Sequence, residues 1–90
     1  MANSTFMAEC FWPDLDPGQV QRAADRLAQC ARQSSNDGVS IRFAGSIVVT
    51  GDDVIFFLFE AVTAEQVSKV CQSAGLHFER VVGSVVSACH

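Results

Sequence analysis

The fold this sequence predicts is an α+β domain: a four-stranded antiparallel sheet with two helices on one face, in the order β-α-β-β-α-β. Three observations predict it. The run Val54-Ile55-Phe56-Phe57-Leu58-Phe59 is wholly apolar, so a strand there presents apolar side chains on both faces and both need covering. Two segments, opening at Asp16 and Thr63, carry helix-start signals followed by apolar residues at helical spacing. Strand-like stretches flank each of them, and a hairpin turn, Thr50-Gly51-Asp52-Asp53, joins the middle pair.

The first strand is Thr5 to Trp12, in which Phe6, Ala8 and Cys10 share one face and Met7, Glu9 and Phe11 the other. Pro13-Asp14 ends it. Asp16 is an N-cap, Pro17 suits the first helical position and Gln19 fits a capping-box pattern, so a helix follows. Its stripe is Val20, Ala23, Ala24, Leu27, Ala28 and Ala31, and it runs to about Arg32. Ser34 to Gly38 reads as a loop. Val39 to Thr50 is the second strand, interrupted at Ala44-Gly45-Ser46 by an expected bulge, and Val54 to Glu60 is the third. Thr63 and Gln66 form a capping box for the second helix, whose stripe is Val67, Val70, Cys71 and Ala74 and whose end is Gly75. Phe78 to Val86 is the fourth strand, with Gly83 as a kink and Ser87 to His90 as a tail.

This order is the split βαβ, or ferredoxin-like, arrangement, in which right-handed crossovers put both helices on one face. The other face is left bare, carrying either Val54, Phe56 and Leu58 or Ile55, Phe57 and Phe59. A lone chain rarely displays such a patch, so a homodimer through the sheet faces, an α/β-barrel type of assembly, is expected.

Ninety residues, 49% hydrophobic and 18% charged, make a single domain spanning 1–90 with an ordered core of about 5–87. Six basic against ten acidic residues give a net charge of −4 and disfavour phosphate-backbone binding. The β-α-β-β-α-β order is shared with the single-stranded-RNA recognition module, but Gly51-Asp52-Asp53 stands where that module carries basic and aromatic residues, so no nucleic acid is expected. There is neither a signal-peptide pattern nor an apolar run near the roughly 20 residues of a membrane span. A cytoplasmic location without membrane partners is the expectation. Cys10, Cys30 and Cys71 lie on predicted strand or helix with no CxxC spacing, which reads as buried small hydrophobes; Cys89 sits beside His90 in the tail.

Few residues point to chemistry. Glu9 is a carboxylate on an apolar strand, suited either to acid-base work or to gripping a polar ligand group; pairing with Arg42 or Arg80 explains it equally. Glu60 reads as a structural residue tying the loop before the second helix. His77, opening the fourth strand, is an acid-base or weak metal-ligand candidate, with a solvated histidine as the alternative. Phe11, Trp12, Phe57 and Phe59, with Phe78, could line an apolar pocket between sheet and helices or between subunits, with Glu9 as its polar contact, or form core. Nucleophile elbows, phosphate-binding glycine loops and activated thiols are absent from the sequence. The expected function is therefore non-enzymatic binding of a small apolar molecule or a metal ion by a dimer. The enzymatic alternative is cofactor-free chemistry on an aromatic or polyketide-like substrate, with Glu9 and His77 as acid-base groups.

One resemblance extends over about residues 6 to 86. Phe6-Met7-Ala8-Glu9, Pro13, Asp16-Pro17-Gly18-Gln19-Val20, Gly38-Val39, Gly45-Ser46, Asp52-Asp53, Leu58-Phe59-Glu60-Ala61 and Ala74-Gly75-Leu76-His77-Phe78-Glu79-Arg80-Val81 follow one another in an order similar to a small uncharacterised bacterial domain family. That family includes a nickel-binding protein of actinomycetes. The resemblance implies a ferredoxin-like fold, dimers through the sheets and, in at least one member, nickel held by histidines. Only His77 and His90 are present here, and His77 stands where the family often has proline, so the nickel ligands do not carry over.

Overall fold

The computed structural model of the chain describes residues 3–83. Its elements are β1 (Ser4–Phe11), α1 (Pro17–Asn36), β2 (Ile41–Val49), a 3-10 turn (Thr50–Asp52), β3 (Val54–Ala61), α2 (Ala64–Ser73) and β4 (Arg80–Gly83). The strands form one antiparallel sheet in the order β2-β3-β1-β4, the ferredoxin-like arrangement, with both helices on one side. The expected continuation of β4 to Val86, together with Cys89 and His90, lies outside the described residues.

Both helices start where their caps demand. Asp16 accepts a hydrogen bond from the Gly18 N–H at 3.3 Å. Thr63 accepts from the Gln66 N–H at 3.2 Å, while Gln66 Oε1 accepts from the N–H groups of Val62 and Thr63. Gln66, rather than Glu60, thus ties the loop before α2. The end of α1 lies later than Arg32. Ser34, Ser35 and Asn36 remain helical, because the stop is set by Gly38 in the left-handed region, with Gly38 N–H bonded to Ser35 and Val39 N–H to Ser34. Gly75 closes α2 by the same double bond pattern, onto Gln72 and Cys71. Arg26 Nε then donates to the Ala74 carbonyl at 3.2 Å and fixes α1 against the end of α2.

The core lies between sheet and helices. Phe6, Ala8 and Cys10 of β1 and Ile55, Phe57, Phe59 and Ala61 of β3 meet Ala23, Leu27 and Ala31 of α1 and Val67, Val70 and Cys71 of α2. Ile55, Phe57 and Phe59 are 0% exposed, which resolves the two possible orientations of β3. Trp12 meets Phe57 edge-on with centroids 5.9 Å apart, and Phe43 meets Phe59 at 5.4 Å.

The bulge in β2 occurs where expected. Phe43 pairs with Phe59 and Gly45 with Leu58, so Ala44 is the extra residue. Before it, Ile41 and Phe43 face the helices; beyond it the alternation is reversed, and Ile47 and Val49 share the face of their partners Phe56 and Val54. The strand therefore serves the core at one end and the opposite face at the other.

Candidate functional site

The side of the sheet away from the helices is left uncovered by the described residues and carries their most distinctive surface. Met7 and Phe11 of β1 lie opposite Leu58 and Val54 of β3, Ile47 and Val49 of β2 extend the patch on one side, and Val82 of β4 extends it beside Met7. Phe11 is 54% exposed and Ile47 48%, whereas Met7, Val54, Phe56 and Leu58 are half-buried by their neighbours.

All four charged residues of the described strands, Glu9, Arg42, Glu60 and Arg80, share this face, and they are paired. Arg42 donates to Glu60 at 2.7 Å across β2 and β3, and Arg80 Nε donates to Glu9 at 2.5 Å across β4 and β1. The hydrogen bond and the attraction of Glu9 raise the Arg80 guanidinium above its ordinary pKa. Glu9 lies two residues past Met7 on β1, and Glu60 two residues past Leu58 on β3, running the other way. The two ion pairs consequently lie on diagonally opposite sides of the Met7–Leu58 rung, roughly 13 Å apart along the strands.

The sheet separates the aromatic residues that the sequence grouped. Phe11 and Glu9 lie on the uncovered face. Trp12, Phe57 and Phe59 lie on the helix side, where Phe57 and Phe59 are sealed in the core and Phe78 is half-buried against it. The expected pocket joining all of them around Glu9 does not form within one chain. His77 is exposed in the connection between α2 and β4. Among the described residues no three His, Cys, Asp or Glu side chains are grouped to hold a metal ion, so these residues do not fit the imidazole set that nickel prefers.

Burial pushes the Cys10 and Cys71 thiols up to about 12, the charges of Glu79 and Glu9 adding to the shift at Cys10. They are inert thiols at neutral pH and act as core residues.

Two shallow clefts were not visible in the sequence. One lies between the second half of α1 and β2, lined by Ala28, Ala31, Arg32, Ser35, Ile41, Arg42 and Phe43; the other is lined by Leu15, Pro17, Val20, Gln21, Val48 and Thr50. Both depend on how far α1 stands from β2, a tertiary distance with no local sequence signal. None of the described helices is long and apolar enough to cross a membrane.

No family model matches the chain, and no curated protein matches it. Among solved structures, the crystal structure of SCO4226 from Streptomyces coelicolor A3(2) is similar over 94% of this chain and 100% of its own, with a TM-score of 0.73 and 21% sequence identity. A likeness at that identity establishes the shared β-α-β-β-α-β fold and nothing about activity.

Proposed function

We propose that this chain is a cytoplasmic, non-enzymatic homodimer whose two copies close sheet against sheet and hold a small apolar molecule at that interface. The observation that carries the reading is the uncovered face, apolar apart from four charges that are held in two ion pairs. Specific interfaces likewise combine apolar area with polar groups that are paired. A face of this size projects roughly 500 Å² at ordinary strand spacing. Side-chain relief brings the surface buried per copy toward the ~800 Å² of a standard interface.

The arrangement is also suited to a two-fold axis. With one Arg–Glu pair on either side of the Met7–Leu58 rung, a second copy rotated onto the face meets both signs of charge at its own pairs. Twisted sheets touch best at their centres and diverge toward their corners. Phe11 and Ile47, the most exposed apolar residues of the face, stand toward one end of it and supply the walls for a small apolar guest. Glu9 accepts from Arg80, which in this reading makes it half of an ion pair instead of an acid-base group.

Light scattering on a size-exclusion column, followed by native mass spectrometry of untagged protein, tests the proposal. The expected result is a dimer mass with excess mass from a retained small molecule, or uptake of Nile red by the dimer. A monomer mass at high micromolar concentration overturns the assembly. A dimer without excess mass that takes up no dye overturns the ligand.

A further inference from the structure

The cleft between α1 and β2 lies on the helix side along the edge strand and shares only Arg42 with the uncovered face. Its volume is about 340 Å³, within the range of small-molecule sites. The half-buried Phe43 forms the open floor from β2 with Ile41 nearly sealed beneath, Ala28 and the buried Ala31 keep the helix wall low, and Arg32 and Ser35 continue the same stripe of α1 toward solvent. The second observation is charge. In a chain with ten acidic and six basic residues, two of the seven lining residues are arginines and none is a carboxylate. Arg42 is engaged with Glu60, whereas Arg32 has no ion-pair partner among the described residues.

We propose that this cleft binds an amphipathic organic carboxylate, its apolar body lying over Ile41 and Phe43 between the alanines and its carboxylate meeting Arg32, with the Ser35 hydroxyl as a second donor. The apolar floor supplies affinity through area removed from water, and the guanidinium supplies the choice of an anion over a neutral molecule of the same length. Binding is non-covalent and uses none of the apolar residues of the uncovered face.

Titration of the isotope-labelled protein with decanoate and with decanol, followed by amide chemical shifts, tests the site. Decanoate is expected to produce saturable shifts at Ala28, Ala31, Arg32, Ile41 and Phe43 and to bind more tightly than decanol. Arg32→Gln, an exposed substitution that leaves the fold intact, weakens decanoate about tenfold, the loss of one charge-assisted hydrogen bond, and leaves decanol unchanged. Ala28→Phe fills the cleft and weakens both. The proposal is overturned by unsaturated shifts into the millimolar range, by shifts confined to Met7, Phe56 and Leu58, or by equal affinity for acid and alcohol.

Discussion

The two faces of the sheet are built from the same strands and are both apolar, yet they are different kinds of surface. On β1 the helix side carries Phe6, Ala8 and Cys10 and the other side Met7, Glu9 and Phe11; on β3 the helix side carries Ile55, Phe57 and Phe59 and the other side Val54, Phe56, Leu58 and Glu60. Apolar content does not separate the helix side from the uncovered side in this molecule. Charge does, since the helix side of the strands has none and the uncovered side has both ion pairs. A surface buried permanently within one chain excludes charge, while on the proposed dimer face paired charge would set register and orientation.

The sharpest way to break this contrast is to truncate one phenylalanine on each side. Phe57→Ala removes a fully enclosed ring that Trp12 and Phe43 pack against, and is expected to lower unfolding free energy by about 3–5 kcal/mol in urea denaturation. Phe56→Ala on the neighbouring position is expected to cost well under half of that in dilute protein. Equal losses at low concentration would show that the two faces are buried alike within a single chain, and the contrast would collapse.

A charge placed at the centre of the uncovered face isolates the interface from the fold. Phe56→Glu faces its cross-strand partner Glu9, so it adds like charge as well as desolvation cost to any covering copy. The expected outcome is an association constant reduced at least about a hundredfold with circular dichroism unchanged. A variant that keeps its wild-type mass on light scattering places the interface elsewhere.

How much of this was legible in the sequence depends on whether the determining signal was local. The caps at Asp16 and Thr63, the Gly75 stop and the bulge at Ala44-Gly45 are short-range chemistry, and each was read directly. The end of α1 was misplaced because Ser34-Ser35-Asn36 resembles a loop, whereas an established helix propagates through such residues until Gly38 supplies the left-handed exit. Phe11 and Trp12 do not share a pocket within one chain for a simpler reason: they are adjacent, so alternation sends them to opposite faces of the sheet. Which face β3 buries, and how far α1 stands from β2, are decided by packing among distant residues and leave no local trace.

The thiols sharpen the comparison by pH. Cys10 and Cys71 have an ordinary value of 9.0 and are raised to about 12 in the folded chain, so the folded state retains protons that the unfolded state has lost. Their contribution to stability is complete below pH 9 and disappears as pH rises from 9 toward 12. Each thiol increases the unfolding constant by up to about tenfold per pH unit in that window. Urea midpoints measured from pH 8 to 11 should fall, and replacement of Cys10 and Cys71 by alanine should flatten the fall at the expense of a lower starting midpoint. A slope unchanged by the replacement would assign the alkaline loss to other groups.

The smallest effect separates the faces most finely. Arg42 and Glu60 are 68% and 41% exposed in the single chain, and an exposed pair of this kind contributes about 0.2–1 kcal/mol and is screened by salt. Covered by a second copy, the same pair loses solvent, and removing one partner leaves a carboxylate without its arginine in a drier environment, which costs more than the pair was worth in water. Arg42→Gln should therefore act weakly and salt-dependently in the Phe56→Glu background, where the face stays wet. In the otherwise unaltered chain it should act more strongly and with less response to salt. The double-mutant cycle reads the difference as a coupling energy between two residues on different strands of the same face. A coupling near zero means that Arg42 and Glu60 remain in water in both backgrounds, and the uncovered face is then a surface that nothing covers at that corner.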